Sequence, residues 1–388
     1  MSSYYDIIIV GGGCAGLSLA YHIHLEPLLK EKKVLIIEPL SKKENDRTWC
    51  FWTKEATPYD SILTKSWKKL TFLGKNFSKK YDLEDFRYQM LRGEDFYYFV
   101  KNQLSKSKQF EYLQTKVELV NQNSGKVEVI IGKEVYTAKY VFDSRLDWED
   151  IRNKTKKHTL LLQHFRGWLI ETPNAPFEED TIQMFDFRIP QKNEVRFMYV
   201  LPYSSRKALV EFTIFSKTLL SEEEYENELK EYICNSMKIN NYEIKEKEKG
   251  VIPMTDFPFP KHEGNHLHFI GTKGGMCKPS TGYAFLRIQR DSQRIVKGLV
   301  REIPIEKLRP KTTRHHYLDA VMLDIMSKKG EMVNRLFEIL FEKNGVELML
   351  RFLDEQTTIK EDLTIMSSVP PLPFLRSILS LVKRSIFR

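Results

Sequence analysis

"YYDIIIVGGGCAGLSLAYHI" (residues 4–23) is the stretch of sequence that decides the fold. An apolar run of strand length leads into consecutive glycines, and a run with helical character follows. Gly11, Gly13 and Gly16 have the spacing GxGxxG, in which the glycines permit a tight turn, close approach of a pyrophosphate, and close packing of helix on strand. The phosphates would lie at the helix N-terminus, where free N–H groups favour anions. The stretch therefore predicts a dinucleotide-binding βα unit.

A second apolar strand completes this unit. It ends at Glu38, 22 residues after Gly16, where a carboxylate can bind a ribose hydroxyl. Arg47 follows shortly after the strand, and we assign it to a phosphate of the same nucleotide. Asp143 ends a later apolar strand and is expected beside the cofactor. A glycine-rich turn of structural use alone is the alternative, but strand, helix and acid all stand where a dinucleotide site needs them.

A second glycine-rich loop indicates which dinucleotide is bound. Residues 269–285 read "FIGTKGGMCKPSTGYAF", again between a strand and a helix. Such a loop lets the backbone run beside the ribityl chain and phosphates of a flavin, and NAD alone would not need it. Thr272 stands where many flavoproteins carry the Asp that binds a ribityl hydroxyl. The predicted cofactor is FAD, and its contacts in this loop are Gly271, Gly274, Gly275, Pro279, Thr281 and Gly282.

The cofactor motifs alternate along the chain with segments rich in β-strands. We expect an α/β fold, with a Rossmann-type FAD-binding domain (glutathione-reductase/hydroxylase-like), an inserted β-sheet substrate domain and a helical C-terminus. The FAD-binding domain is predicted to be discontinuous within residues 1–300. Its parts are about 1–60, 136–160 and 260–300, the substrate domain takes about 61–135 and 161–259, and the helical C-terminal region is 301–388.

Composition narrows the classes of partner. The chain has 388 residues and a formal net charge of +9, which favours an anionic partner. Nucleic acid is disfavoured because the sequence carries no aromatic-and-basic RNA motif and no helix-turn-helix pattern. The four cysteines are scattered and form no CxxC pair, so we expect neither a disulfide framework nor a metal site. No apolar run approaches the ~18 residues of a membrane span, and no signal peptide is visible.

The C-terminal stretch "FLRSILSLVKRSIFR" (374–388) is both basic and amphipathic. On a helical wheel one apolar face is formed by Phe374, Ile378, Leu379, Val382 and Ile386. The basic residues of the stretch are Arg376, Lys383, Arg384 and Arg388, of which the first two lie opposite that face. This pattern predicts a membrane-surface helix, and a helix docked on its own protein is the alternative. We expect a cytoplasmic protein that is peripheral to the inner face of the membrane.

Several segments, taken in order, resemble the lycopene β-cyclase family of flavoproteins. They are "DRTWCFW" (46–52), "FDSR" (142–145), "TDFPFP" (255–260), "GGMCKPSTGYAF" (274–285) and "LDEQTTIKEDLTIMSSVP" (353–370). The resemblance runs nearly from end to end. It implies that lycopene is cyclised, through γ-carotene, to β-carotene with no net redox change. It also implies reduced FAD as the active form, with NADPH or NADH as a transient reductant, since the sequence has no second GxGxxG for a resident nicotinamide nucleotide.

The resemblance also implies the catalytic acid. An acid protonates the terminal double bond, the neighbouring alkene attacks the resulting carbocation, and loss of a ring proton leaves the β ring. The family's proposed acid/base is a glutamate in a motif like "FLEET", and the match here is "ALVEFT" (208–213). It assigns that role to Glu211, although Phe212 replaces the second glutamate of the motif. Trp49 and Trp52 are candidates for an electron-rich wall that stabilises the cation.

The residues around Glu211 support this assignment independently. The glutamate interrupts an alternating run whose adjacent residues are apolar, and a carboxyl facing an apolar cavity stays protonated more readily. A general acid at neutral pH needs that property. A solvent-facing strand glutamate is the alternative. Asp186 and Arg188 also resemble a family segment, but a structural ion pair explains them equally well.

Two other classes of function stay open on the sequence alone. One is a redox flavoenzyme of the same fold, such as a monooxygenase, a halogenase or a reductase of isoprenoid double bonds. The other is a flavin-binding interaction protein that turns nothing over. The FAD motifs do not separate these classes. Glu211 and the cyclase-like segments favour the cyclase.

Overall fold

The stretch at residues 4–23 forms the expected strand, turn and helix in the computed structural model, which describes residues 3–123, 125–309 and 313–386. The strands are β1 (Ser3–Val10), β2 (Val34–Ile37), β3 (Thr48–Thr53), β4 (Lys65–Trp67), β5 (Lys69–Leu73), β6 (Ser78–Asp82), β7 (Arg87–Arg92), β8 (Phe110–Leu113), β9 (Leu119–Asn123), β10 (Lys126–Ile131), β11 (Glu134–Asp143), β12 (Leu160–Glu171), β13 (Thr181–Asp186), β14 (Val195–Pro202), β15 (Lys207–Ser216), β16 (Glu243–Thr255), β17 (His262–Glu263) and β18 (Leu267–Phe269). The helices are α1 (Cys14–Leu25), α2 (Gly93–Leu104), α3 (Trp148–Lys154), α4 (Glu222–Glu231), α5 (Phe285–Arg301), α6 (Ile305–Leu308), α7 (Arg314–Lys329), α8 (Glu331–Asn344), α9 (Val346–Leu353), α10 (Ile359–Ser367) and α11 (Pro371–Ile386).

The first sheet is built around β1. Its order is β17-β18-β11-β1-β2-β8, with β10 and β9 continuing antiparallel from β11, and β1 is parallel to both of its neighbours. Successive side chains of a strand point to opposite faces, so Ile7 and Ile9 pack with α1, α2 and α5, whereas Ile8 and Val10 pack with β10. Burial on both faces explains why this strand is continuously apolar. The carboxyl ends of β1, β2 and β11 meet at one edge of this sheet.

The second sheet is mainly antiparallel and has the order β16-β12-β15-β14-β13-β5-β6. One face carries Phe72, Phe185 and Phe197 into a core shared with α7, α8 and α9. The opposite face, which includes Val210 and Phe212 of β15, packs against α4. The second sheet is therefore covered on both faces, and the alternating side chains of its strands do not divide into one buried face and one solvent-exposed face.

A small third sheet, with the order β3-β7-β4, joins the two larger layers. On β3, Trp49 and Phe51 pack with the core of the first sheet, whereas Cys50 and Trp52 pack with the core of the second. This strand therefore lies between the two sheets and forms part of the boundary of the space that separates them.

The division into domains stays a prediction, but the strand pairing at residues 110–131 differs from the expected layout. β8 pairs in parallel with β2, and β9 and β10 extend the first sheet beyond β11. These strands were expected in the substrate domain because they fall in a polar, aromatic-rich stretch of the sequence that ends at about Val135. β8 instead lies at the edge of the first sheet, and β10 packs against the second face of that sheet, where Val127 and Val129 are buried.

The C-terminal helix α11 lies on α7 through a polar side. Ser377 Oγ donates to the carbonyl of Val321 at 3.0 Å, and Arg384 donates to Thr159 Oγ1 at 2.8 Å and to Asp324 Oδ1 at 3.1 Å. Large apolar side chains of α11 are exposed, namely Leu372, Leu375, Ile378, Leu379, Val382 and Ile386. Phe374 differs from the predicted apolar face because it turns toward the core, and Arg388 lies outside the described residues.

Among the helices in the described part of the chain, none is by itself long and apolar enough to cross a membrane. Taken together, α10 and α11 reach the required length and composition, but the chain bends by 117° between them.

Candidate active site

A cavity of about 1130 Å³ extends from the GxGxxG motif of Gly11, Gly13 and Gly16, called the fingerprint below, to the second sheet. At one end it is lined by Gly11, Gly13 and Glu38, and at the other by Glu211 and Glu248. The first predicted nucleotide contacts and the predicted catalytic acid are far apart in the chain, yet they face the same space. The predicted site residues that line it are Gly11, Gly13, Glu38, Arg47, Glu211, Gly271, Thr281 and Gly282.

The fingerprint glycines have the conformations that the sequence demanded. Gly11 has φ +102°, and a Cβ there would overlap Ser144 Oγ, which is hydrogen-bonded to the carbonyl of Val10. A Cβ at Gly16 would overlap the carbonyl oxygen of Gly11, so this glycine sets how closely α1 approaches the strand. A Cβ at Gly13 meets nothing within 4 Å, because this residue borders the cavity at the start of α1. Among the described residues, no side chain caps the helix there.

Glu38 is held in place at the end of β2. Its Oε2 accepts a hydrogen bond from the backbone N–H of Gly12 at 2.7 Å, and its Oε1 accepts one from Leu40 at 3.0 Å. Each carboxylate oxygen can accept a further hydrogen bond. The side chain is buried on its protein side and lines the cavity, so it is oriented to accept hydroxyl donors from a ligand.

Cationic side chains surround this end of the cavity. Arg47 lines it directly, as do Arg145 and Lys273. Asp143 does not line it: its buried carboxylate forms ion pairs with Arg145 at 2.8 Å and Lys273 at 2.6 Å. Burial alone would raise the pKa of Asp143, but the bonds to these two cations outweigh it and lower that pKa. Asp143 therefore holds two cations beside the cavity and does not itself line the cavity, where the sequence had predicted a direct contact with the cofactor.

The second glycine loop divides between two spaces. Gly271 (φ +60°) and Gly282 (φ +74°) border the large cavity, as predicted. Gly274 does not: its N–H bonds back to Ile270 and Gly271, and it forms the tight turn of the loop. Gly275 and Pro279 also lie elsewhere, in a separate pocket of about 130 Å³ beside Phe257. The closeness of these residues along the chain suggested one continuous cofactor surface, but Gly275 and Pro279, between the two ends of the loop, lie in the other pocket.

Two buried polar atoms at the cavity have no partner within the described residues. They are Thr281 Oγ1 and Gln163 Oε1, and both residues are less than 10% exposed. A buried polar group without a hydrogen bond costs about 1–3 kcal/mol. A ligand with a polar edge in this part of the cavity would satisfy both atoms.

Glu211 and Glu248 meet through the register of the second sheet. Across four adjacent strands, Tyr199 pairs with Glu211, Glu211 pairs with Gly167, and Gly167 pairs with Glu248. Paired residues on neighbouring strands point to the same face. Because Gly167 has no side chain, the two glutamates on either side of it can lean together, and a Cβ at Gly167 would come within 2.8 Å of Glu248 Cγ.

The two carboxyls perturb each other strongly. Burial, followed by the negative charge of Glu248, raises the pKa of Glu211 well above its ordinary value. Burial also raises the pKa of Glu248, while hydrogen bonds from Glu211 and Thr48 oppose that rise. Thr213 Oγ1 is 2.7 Å from Glu211 Oε1, and Thr48 Oγ1 donates to Glu248 Oε2 at 2.8 Å. The arrangement favours a neutral Glu211 beside an ionised Glu248, because two carboxylates this close cannot both ionise readily.

Apolar and aromatic side chains surround the two carboxyls. Those that line the cavity include Trp49, Tyr88, Phe165, Tyr199, Leu201, Leu209, Ile252, Tyr283 and Phe285. The hydroxyls of Tyr199 and Tyr283 lie 3.1 Å apart, and burial raises the pKa of both phenols, so both are neutral. Trp49 is at this wall, as predicted. Trp52 is not: its ring is buried in the core and its Nε1 donates to the carbonyl of Leu350 at 3.0 Å.

Asp186 and Arg188 are away from the cavity. The Asp186 carboxylate is fully buried, pairs with Arg188 at 2.7 Å and accepts a hydrogen bond from the Tyr232 hydroxyl at 2.8 Å. This is a structural ion pair, one of the two readings that the sequence allowed. No cluster of His, Cys, Asp and Glu within residues 3–123, 125–309 and 313–386 has the arrangement of a metal site.

Glu248 and Gln163 are residues of the site that sequence reasoning missed. Glu248 lies in "EIKEKEKG" (243–250), where charged residues alternate as on a solvent-exposed strand. The available signal was that the alternation ends at Gly250, just before the apolar "VIPM", so that the strand enters the interior there. Its partnership with Glu211 depends on a pairing register between distant segments, which no local pattern contains.

Comparison with solved structures identifies the fold. The chain is similar to a geranylgeranyl bacteriochlorophyll reductase-like protein from Thermoplasma acidophilum, with a TM-score of 0.61 and 14% identity over 99% of this chain and 100% of that one. It is also similar to a flavoprotein/dehydrogenase from Cytophaga hutchinsonii, with a TM-score of 0.63 and 11% identity over 98% of this chain and 100% of that one. These likenesses confirm the predicted fold class.

Relatives with curated names have a higher sequence identity to this chain than these solved structures have. The chain is 25% identical over 325 residues to a chloroplastic neoxanthin synthase from Solanum tuberosum, covering 76% of this chain and 61% of the relative. It is 25% identical over 320 residues to a chloroplastic lycopene beta cyclase from Arabidopsis thaliana, covering 77% of this chain and 61% of the relative. The chain thus spans about six tenths of the length of these relatives.

The sequence model of the family described as "Lycopene cyclase protein" matches residues 6–379. That range begins in β1, includes both glycine loops and both glutamates of the cavity, and ends in α11. With nearly the whole chain matched, this protein belongs to the lycopene cyclase protein family.

Proposed function

We propose that this protein is a flavin-dependent carotenoid cyclase, and specifically a lycopene β-cyclase that converts the open ends of lycopene to β rings. The observation that carries the proposal is Glu211, a carboxyl whose neutral form is favoured, at the apolar end of the cavity that begins at a dinucleotide fingerprint. Family membership and the carotenoid-related names of the curated relatives support the same conclusion.

The cavity fits FAD by the chemistry of its donors. Backbone N–H groups at the start of α1 would hold the pyrophosphate, Arg47 would add a positive charge, and Glu38 would accept from a ribose hydroxyl. Thr272 lines the cavity and would lie beside the ribityl chain, and the unpartnered Thr281 Oγ1 and Gln163 Oε1 would suit the polar edge of the flavin ring. When bound in its reduced form, the flavin supplies negative charge that stabilises positive charge on the substrate. NADPH or NADH is proposed as a transient reductant.

Glu211 acts as the general acid in this proposal. Its proton passes to the terminal double bond of the substrate, a new C–H bond forms, and a tertiary carbocation results. The neighbouring double bond then closes the ring, and loss of a ring proton restores neutrality, so the product is an isomer of the substrate. A general acid of this kind contributes typically 10²–10⁴-fold to the rate, provided that it is protonated at the working pH.

The aromatic wall stabilises the cation and excludes water from it. Trp49, Tyr199 and Tyr283 present electron-rich rings to the cavity, the two tyrosines beside Glu211, and each cation–π contact is worth about 0.5–2 kcal/mol. Neutral phenols are compatible with this role, whereas the apolar lining from Phe165, Leu201 and Leu209 suits a hydrocarbon chain.

We further propose that the protein extracts its substrate while bound at the surface of a membrane, on the cytoplasmic side. The support is α11, which turns Ser377 and Arg384 toward the protein and leaves Leu379 and Val382 exposed at 69% and 50%. Arg376 and Lys383 are exposed on the same helix and would face anionic lipid head groups.

The test is an anaerobic incubation of FAD-loaded protein with lycopene in liposomes, after the flavin has been reduced with dithionite. The proposal predicts γ-carotene and then β-carotene by chromatography, while the absorbance of the flavin stays that of the reduced form. Oxidation of the flavin in step with product, or stoichiometric consumption of NAD(P)H, would identify a redox flavoenzyme. Untouched lycopene would leave the cyclase proposal without support.

A further inference from the structure

The cavity holds a second carboxyl that the proposed acid chemistry does not yet use. Glu248 is on β16, whereas Glu211 is on β15, and the two reach each other over Gly167 of the strand between them. The two side chains share a hydrogen bond. Both face the same cavity beside the aromatic wall. A substrate that reaches one carboxyl therefore also reaches the other.

The surroundings of the two carboxyls differ in charge. Hydrogen bonds from Glu211 and from Thr48, the latter at 2.8 Å, favour the ionised form of Glu248. The negative charge of Glu246 opposes them, and the positive charge of Arg92, which is paired with Glu246 at 2.9 Å, partly offsets that charge. Glu211 has no comparable cation within the described residues: its neighbours there are the Thr213 hydroxyl, the Cys50 thiol and the phenols of Tyr199 and Tyr283. The negative charge of the pair is therefore more stable on Glu248, and the proton on Glu211.

Ring closure places a geometric demand on acid and base. The carbon that gains a proton and the carbon that loses one are both bonded to the same ring carbon, the one that becomes quaternary when the ring closes. The donor and the acceptor must consequently stand side by side at one end of the substrate. A neutral carboxyl in contact with an ionised one meets that demand.

We propose that Glu248 is the base that removes the ring proton, so that Glu211 and Glu248 work as one acid–base pair; this inference rests on the proposed cyclase function. The O–H bond of Glu211 breaks as a C–H bond forms at the carbon of the terminal double bond that already carries a hydrogen. A ring C–H bond then breaks, its electron pair becomes the ring double bond, and the proton forms an O–H bond on Glu248. Transfer of that proton to Glu211 through their shared hydrogen bond restores the starting state without any other reactant.

The test compares three single variants of the full FAD-loaded protein. They are E211Q, E248Q and, as a matched control, E243Q, which makes the same change on the same strand at a side chain that is 71% exposed. Each is reduced anaerobically and supplied with lycopene liposomes in D₂O. Ring products and deuterium in the recovered lycopene are then measured by chromatography and mass spectrometry, and the absorbance of bound flavin reports on folding.

The proposal predicts a different defect for each glutamate. E211Q should give neither rings nor deuterium uptake, because protonation is lost. E248Q should lower β-ring formation about 100-fold or more, while deuterium still enters the lycopene or the cation ends as a water adduct or an isomeric ring. E243Q should match the wild type. E248D, which keeps the carboxyl one methylene further back, should recover part of the β-ring formation.

Other outcomes overturn the inference in distinguishable ways. Formation of β rings by E248Q within about threefold of the wild-type rate, with E211Q inactive, would refute the role of Glu248 and leave the proposed function intact. An active E211Q would instead refute the proposed catalytic acid. If E248Q loses its flavin, the result for E248D distinguishes the two roles of Glu248. A step that depends on the carboxylate predicts that E248D still forms β rings, but at a reduced rate. Wild-type rates in E248D together with flavin loss in E248Q would assign Glu248 a structural role.

Discussion

Replacing Gly167 with alanine tests whether the contact between the two glutamates matters. A Cβ at this position would lie 2.8 Å from Glu248 Cγ, 3.0 Å from Leu209 Cδ1 and 3.1 Å from Glu248 Oε1. Carbon atoms pack comfortably at about 3.5–4.0 Å, so the neighbouring side chains must retreat by roughly 0.5–1 Å. Overpacking of this size costs about 1–3 kcal/mol of stability. A displacement of about 1 Å at a reacting group can cost about 10²-fold in rate.

The expected result for G167A is a folded, flavin-binding protein whose rate of β-ring formation falls by about 10- to 100-fold. The assay is initial-rate chromatography with lycopene liposomes, alongside flavin absorbance and thermal unfolding. The double variant G167A/E248A provides the control, because truncating Glu248 at Cβ removes the Cγ and Oε1 atoms that the new Cβ would meet. Its rate should exceed the product of the two single effects. A G167A protein with wild-type activity would refute the reasoning that Gly167 exists to let the two carboxyls meet.

Three further predictions follow from the site and the surface. Burial and the negative charge of Glu248 raise the pKa of Glu211, so its neutral form prevails to higher pH in the folded state than in the unfolded chain. The contribution of Glu211 to the free energy of unfolding is therefore fully present below the ordinary carboxyl pKa of about 4.3, and it declines as pH rises through the raised pKa. E211Q should therefore gain stability relative to wild type as pH rises, measured by urea unfolding, and an unchanged difference at all pH values would contradict a raised pKa. G11A should lose FAD because its φ of +102° and the overlap with Ser144 strain the turn, as measured by flavin fluorescence titration; tight binding would argue against the fingerprint. L379D/V382D should weaken binding to anionic liposomes at least tenfold in a flotation assay without changing flavin content, with the exposed Y317A as the control; unchanged flotation would exclude α11 as the docking surface.

The fold could be predicted because its decisive signals are local. The glycine spacing requires a particular turn between a strand and a helix, and the φ angle of Gly11 meets that requirement. Glu211 was also visible, since a carboxyl within an alternating apolar run has few destinations other than a cavity. The second glycine loop was only partly predictable. Gly275 and Pro279 follow the tight turn at Gly274 into a different pocket, whose other walls, including Phe257 and Arg309, come from distant parts of the chain.

The errors have a common physical origin in long-range pairing. Asp143 was expected to contact the cofactor because it ends a strand, but its carboxylate is fully engaged by Arg145 and Lys273. Trp52 was a candidate wall residue, like Trp49, because of its electron-rich ring, yet strand alternation directs the two rings into different cores. Glu248 escaped notice since its importance comes from a register across Gly167.

The most direct test of the central claim is the origin of the hydrogen gained on ring closure. FAD-loaded protein is exchanged into D₂O, reduced anaerobically, and allowed a single turnover with a limiting amount of lycopene. The account predicts one deuterium in each newly formed β ring, with the flavin still reduced and no deuterium in products from E211Q. Rings that carry no deuterium, or that form only as the flavin is oxidised, would contradict acid–base cyclisation by Glu211.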